Sequence, residues 1–87
     1  NVGIKGIQNK EFAVYPNPTS GAITMDLDQN YNHVKVQVLS IEGKLVETFE
    51  FSATNKLQFN MKQVKGLYTI LVFADNNASV FKVMKVD

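Results

Sequence analysis

The chain has 87 residues and a mass of 9.7 kDa, enough for one small domain that buries roughly 60% of the surface of its unfolded form. Its apolar content of 45% excludes a disordered segment, and the absence of Cys excludes disulfide scaffolds, zinc knuckles and thiol catalysis. Nine Lys, no Arg and eight acidic residues leave a net charge of +1, which argues against nucleic acid as a partner.

The first eleven residues differ from the rest of the chain. They carry Gly3 and Gly6 among scattered Ile and Val residues, without clean alternation. We expect residues 1–11 to form a linker or a weak edge strand, and residues 12–87 to form the folded domain. No apolar run approaches the roughly 18 residues needed to span a bilayer, so we expect no membrane insertion.

From Phe12 onward, apolar residues alternate with polar ones at a period of two, which is the signal of half-buried strands. In the middle of the chain, for example, Val34, Val36 and Val38 alternate with Lys35 and Gln37. Residues that favour turns separate such runs at short intervals. The predicted strands are Phe12–Tyr15, Ala22–Leu27, Val34–Ser40, Lys44–Phe51, Lys56–Asn60, Leu67–Ala74 and Ser79–Val86.

These strands predict an all-β fold, an immunoglobulin-like antiparallel β-sandwich of about seven strands. One local feature favours it: Gly66 is followed two residues later by Tyr68 at the start of an apolar strand. This spacing resembles a tyrosine corner, in which the phenol hydroxyl bonds back to a nearby backbone group. The alternative is a Tyr68 that only packs its ring.

Catalytic chemistry finds little support in the sequence. A Ser-His-Asp triad would have to include His33, the only histidine, and there is no nucleophile-elbow motif to supply a serine. Asp26, Asp28 and Asn30 could ligate Ca²⁺ through oxygens two residues apart, but the match to a calcium loop stops there. We expect no enzymatic activity and no cofactor, and we leave calcium as an open alternative.

Four motifs occur in order along the chain. Tyr15-Pro16-Asn17-Pro18-Thr19-Ser20-Gly21 comes first, then Glu42-Gly43-Lys44-Leu45-Val46, then Val64-Lys65-Gly66-Leu67-Tyr68, and finally Lys82-Val83-Met84-Lys85-Val86. Together they resemble the C-terminal sorting domain of type 9 (Por) secretion system cargo in Bacteroidetes, type A. Each motif also has a local physical role, because Pro16 and Pro18 restrict the backbone while the glycines permit turns.

The resemblance implies a folded address label that directs an attached N-terminal cargo through an outer-membrane translocon. Such domains are typically removed by a sortase of the secretion machinery, often with attachment of the cargo to an anionic lipopolysaccharide. The implied destination is the cell surface or the medium, reached through the periplasm and outer membrane. Proteases need extended backbone, so we expect cleavage within Asn1–Glu11 or upstream of it.

In this family the C-terminal strand is important for recognition. The matching residues here are Phe81, Lys82, Val83, Met84, Lys85 and Val86. Their alternation suggests that one apolar set stays partly exposed, and a strand at a chain end is a template for strand addition by a partner. The alternative is that both faces are covered.

A second function, from another class, is a fibronectin-like or immunoglobulin-like surface module that binds carbohydrate or protein and is appended to a secreted enzyme. It predicts an exposed aromatic platform among Tyr15, Tyr31, Phe49 and Phe51.

Overall fold

The computed structural model describes residues 12–87, which form five antiparallel strands and no helix. The strands are β1 (Ala13–Tyr15), β2 (Ala22–Leu39), β3 (Leu45–Asn60), β4 (Gly66–Ala74) and β5 (Asn77–Lys85). The predicted all-β class is confirmed, whereas the predicted linker 1–11 lies outside the described residues. No helix in the described part of the chain is long and apolar enough to cross a membrane.

The strand count differs from the prediction because β2 and β3 each contain two of the predicted strands. The turn-forming residues 28–30 lie inside β2, where the register against β3 shifts: Asp26 pairs with Lys56, and the next pair is Tyr31 with Thr54. Between these two pairs the chain advances five residues along β2 but only two along β3. A bulge takes up the extra residues, so the strand bends instead of ending.

Two stacked rings show how strongly β3 bends. Phe49 and Phe59 are ten residues apart in one strand, yet their ring centroids are 4.7 Å apart. Ten residues of straight strand would span roughly 33 Å. The two halves of β3 must therefore fold back until their inner faces meet.

The sheet follows the order β1-β2-β4-β5, and β3 pairs with the other edge of β2. On the shared edge of β2, β1 pairs with the first half (Ala13 with Asp26) and β4 with the second (Val34 with Ala74). β5 then pairs with β4 along its whole length, from Gly66 with Lys85 to Ala74 with Asn77.

Both halves of the bent sheet contribute to one apolar core. Its fully buried members follow the predicted period of two along β2 and β4. They include Ile23, Met25, Val34, Val36, Val38, Ile70, Val72 and Val83, all at most 1% exposed. Burial of alternate side chains is what pins the register, because a slip of one residue would turn this set toward solvent.

Candidate functional site: the Pro16–Gly21 loop on the C-terminal strand

The loop that follows β1 lies along the outer edge of β5. The Asn17 side chain donates from Nδ2 to the Lys82 carbonyl oxygen at 3.0 Å, and its Oδ1 accepts the Met84 N–H at 3.0 Å. One carboxamide thus meets a carbonyl and an N–H of β5, as a peptide group of a neighbouring strand would.

Thr19 continues this contact through its backbone. Its N–H donates to the Met84 carbonyl at 2.9 Å, and its carbonyl accepts the Val86 N–H at 2.8 Å. The Thr19 hydroxyl donates to the Ala22 carbonyl at 2.6 Å and accepts the Gly21 N–H at 2.9 Å, which holds the loop closed. We call the four bonds from Asn17 and Thr19 to Lys82–Val86 the clamp.

The clamp bears directly on strand addition. Over Lys82–Val86, the outward backbone groups that a partner strand would use already bond to the chain's own loop. A partner strand could pair there only by displacing four hydrogen bonds.

Gly21 lets the loop closely approach Met61, the residue after β3, and Lys85 of β5. Its φ is +140°, and a Cβ at this position would lie 3.1 Å from the Met61 carbonyl oxygen and 3.7 Å from Lys85 Cε. The Gly21 carbonyl also accepts the Met61 N–H at 2.8 Å. Both backbone angle and space therefore require glycine here.

The side chains of β5 fall into two sets. Val83 and Lys85 face inward and are buried, and the Lys85 ammonium donates to the Asp87 carbonyl at 3.1 Å. Met84 and Val86 are 42% and 44% exposed, which confirms that one apolar set stays partly exposed. Phe81 is half-buried and Lys82 is exposed.

The middle two motifs form the turns that they were expected to form. Gly43 has a φ of +87° in the turn between β2 and β3, which the Ser40 N–H closes onto the Lys44 carbonyl at 2.8 Å. The Tyr68 hydroxyl donates to the Val64 carbonyl at 2.6 Å, so the tyrosine-corner bond is present. Tyr68 itself is 7% exposed.

The four motifs, far apart in sequence, meet at one end of the domain. The strands are antiparallel, so β2 ends where β3 and β4 begin and where β5 ends. The clamp brings the Pro16–Gly21 loop to the same place. We call this the motif end.

In the calcium alternative Asp26 and Asp28 would be ligands, but both carboxylates already have hydrogen-bond partners within the domain. Asp26 accepts the Tyr15 hydroxyl at 2.7 Å and lies 3.8 Å from the Lys56 ammonium, whereas Asp28 accepts the Tyr31 hydroxyl. Within residues 12–87 no group of three His, Asp or Glu side chains could hold a metal ion. The bond to Asp26 is the main reason that the pKa of Tyr15 is raised, while burial, then the bond to Asp28, raises the pKa of Tyr31.

The aromatic platform of the surface-module hypothesis is not assembled. Tyr31 is 2% exposed and contacts Phe12 edge to face, and Phe49 and Phe51 pack half-buried against the core. Of the four rings, only Tyr15 is exposed.

Thr19 is a residue of this site that the sequence patterns above do not indicate. It is a polar residue that is 1% exposed, and its backbone N–H and carbonyl make two of the four bonds of the clamp. A signal existed, since a Thr between Pro18 and Gly21 is a common way to close a loop through a hydroxyl. Its contact with β5, 65 residues further on, had no local signal.

No curated protein matches the chain. The family model described as the secretion system C-terminal sorting domain matches residues 13–86, which covers all four motifs and every strand described above. Such a tail is a sorting signal for type 9 secretion, and it implies a cargo-attached segment of a secreted or cell-surface protein that the secretion machinery recognises. The chain therefore belongs to the type 9 secretion C-terminal sorting domain family.

Proposed function

We propose that an outer-membrane translocon recognises this domain in its folded form. The recognised segment is the C-terminal strand Phe81–Val86, at the motif end. The observation that carries the proposal is the clamp, because it joins the first motif to the last by four hydrogen bonds. Residues separated by more than 60 positions thus form one surface only after folding.

The cargo then crosses the outer membrane, and a sortase-type peptidase removes the domain by cutting within Asn1–Glu11 or upstream. The described domain supports a cut outside its own strands, because antiparallel pairing protects the backbone from β1 to β5.

The domain serves as substrate and signal, without catalytic activity of its own. The environment of His33 supports this proposal. His33 is exposed, and its backbone N–H, not its ring, donates to an Asp75 carboxylate oxygen at 3.0 Å. A catalytic base would need its ring oriented by such an acid.

We also propose that the bent sheet is an immunoglobulin-like sandwich of seven segments. Each of the seven predicted strands coincides, to within one residue at either end, with part of one of the five continuous strands. The Phe49–Phe59 stack supports two layers that face each other.

The test is delivery of a passenger fused to residues 1–87 in a strain with a functional type 9 translocon. Deleting Lys82–Asp87 would also remove the buried Val83 and Lys85, so loss of delivery could reflect unfolding. Met84→Asp with Val86→Asp changes only half-exposed side chains and leaves the backbone clamp available. We expect this variant to lose delivery, whereas Thr48→Asp, on an exposed position of β3, should keep it.

Delivery of the Met84/Val86 variant at the wild-type level would place recognition outside the C-terminal strand. The mass of the delivered passenger tests removal separately. Recovery of a passenger that still carries residues 12–87 would contradict the sortase proposal.

A further inference from the structure

The most exposed large apolar side chains are gathered at the motif end. Of the nine that stand out in residues 12–87, two are left out of this set: Phe73, near the other end of β4, and Tyr15 of the first motif, whose hydroxyl bonds to Asp26. The other seven come from the β2–β3 turn, the β3–β4 loop and the strand ends beside them. They are Ile41, Leu45, Val46, Val64, Leu67, Met84 and Val86, which we call the apolar end.

Their degree of exposure is not explained by packing. Ile41 and Val64 are 76% and 80% exposed, although both lie in turns where polar residues would fit. Leu67 and Met84 are cross-strand partners, 36% and 42% exposed, so β4 and β5 present an apolar pair on their outer face. A cluster of exposed apolar side chains in a small domain marks an interaction surface.

Net charge also differs between the motif end and the opposite end of the domain. By strand pairing, the half of residues 12–87 that contains the motif end carries five lysines and three acidic residues, an excess of two positive charges: Lys44, Lys62, Lys65, Lys82, Lys85, Glu42, Glu47 and Asp87. The opposite half carries two lysines and four acidic residues, an excess of two negative charges: Lys35, Lys56, Asp26, Asp28, Glu50 and Asp75. The only ion pair within the described range, Lys56 with Asp26, lies in that opposite half.

We infer that the apolar end is a docking surface for a protein of the secretion machinery whose contact region is apolar at its centre and acidic at its rim. This inference rests on the proposed function and specifies the surface by which that recognition occurs. The lysines beside the apolar side chains, such as Lys44 and Lys65, make no ion pair within residues 12–87 and would meet the acidic rim.

Three other occupants fit the observations less well. A partner strand would find the Lys82–Val86 end of the β5 edge closed by the clamp. A sugar is usually held against aromatic rings, and the apolar end is aliphatic. A second copy docked by the same surface would bring two positively charged ends together.

The experiment uses the passenger fused to residues 1–87 and changes only highly exposed positions. Ile41→Asp with Val64→Asp should lower delivery to the surface at least tenfold. The matched control, Ser52→Asp with Asn55→Asp, adds the same charge at exposed positions of the opposite end and should leave delivery unchanged. Lys65→Glu should lower delivery, and Lys35→Glu should not. Thermal unfolding of every variant should match that of the wild type within a few degrees.

Wild-type delivery that survives Ile41→Asp with Val64→Asp would overturn this inference while leaving the proposed function intact. Failure of the wild-type fusion itself would overturn the proposed function and this inference with it. If the purified chain binds phosphatidylglycerol vesicles and the Ile41/Val64 variant does not, the surface would be assigned to lipid. That result would overturn the inference of a protein partner. If the wild-type chain sediments as a dimer and the Ile41/Val64 variant as a monomer, the apolar end would be assigned to contact with a second copy, which would overturn the inference.

Discussion

The clamp makes a quantitative prediction about Asn17. In Asn17→Ala, two hydrogen bonds to β5 are lost, those to the Lys82 carbonyl and the Met84 N–H, both 3.0 Å long. A typical intramolecular hydrogen bond contributes about 0.5–1.5 kcal/mol net, and Asn17 is exposed, so the lower half of that range applies to each bond. The expected loss of unfolding free energy is about 1–2 kcal/mol, or roughly 5–15 °C in Tm for a domain of this size.

Urea unfolding of residues 1–87 measures this loss, and amide hydrogen exchange shows where it occurs. The Met84 amide should exchange about tenfold faster, a factor equivalent to about 1.4 kcal/mol. Asn17→Asp is a near-isosteric companion: one oxygen can still accept the Met84 N–H, but the other replaces the donor that faced the Lys82 carbonyl. We expect it to be no more stable than Asn17→Ala. Ser20→Ala, an exposed change in the same loop, is the control.

Unchanged stability in both Asn17 variants, with the Met84 amide as protected as in the wild type, would refute the clamp. So would an equal loss in Ser20→Ala, since the effect would then belong to the loop in general. A loss confined to Asn17 would show that the first motif stabilises the last strand directly.

The remaining predictions concern three other positions. Tyr68→Phe removes the bond to the Val64 carbonyl and should cost about 1 kcal/mol in urea unfolding; a neutral result would mean that ring packing alone anchors the turn. Gly21→Ala meets both a positive φ and the Met61 carbonyl, so we expect a lower Tm and a loss of about 1–3 kcal/mol or more, and an unchanged melting curve would contradict this geometry. The raised pKa of Tyr31 means that stability is intact below the ordinary value of 10.0 and falls as pH rises above it. Urea midpoints measured on either side of that pH should show the decline, and Tyr31→Phe should reduce it; a decline of equal size in the variant would assign it to other groups.

The class of the fold could be predicted because alternation is a local property. Val34, Val36 and Val38 follow a period of two in the sequence and are all buried. The two bends look like strand ends in the sequence because the same residues, such as 28–30, favour turns and bulges alike. Only the register between β2 and β3 distinguishes the two.

The candidate site was predictable in its parts. Gly43 and Tyr68 are placed as the local patterns indicated, since a turn and a corner are determined within a few residues. The partners of Asn17 and Thr19 are more than 60 residues away, and no local pattern points to Lys82, Met84 or Val86 as their acceptors and donors.

The sequence by itself determined the strand-rich class, the turns and the family, because these depend on periodicity and on short motifs. The tertiary structure alone decided that four separate motifs share one end and that the Lys82–Val86 part of the β5 edge is closed. It also decided that exposed aliphatic side chains and positive charge coincide at that end. The reason is that antiparallel pairing brings chain segments together according to register and sheet order, and those are set by which faces can be buried across the whole chain.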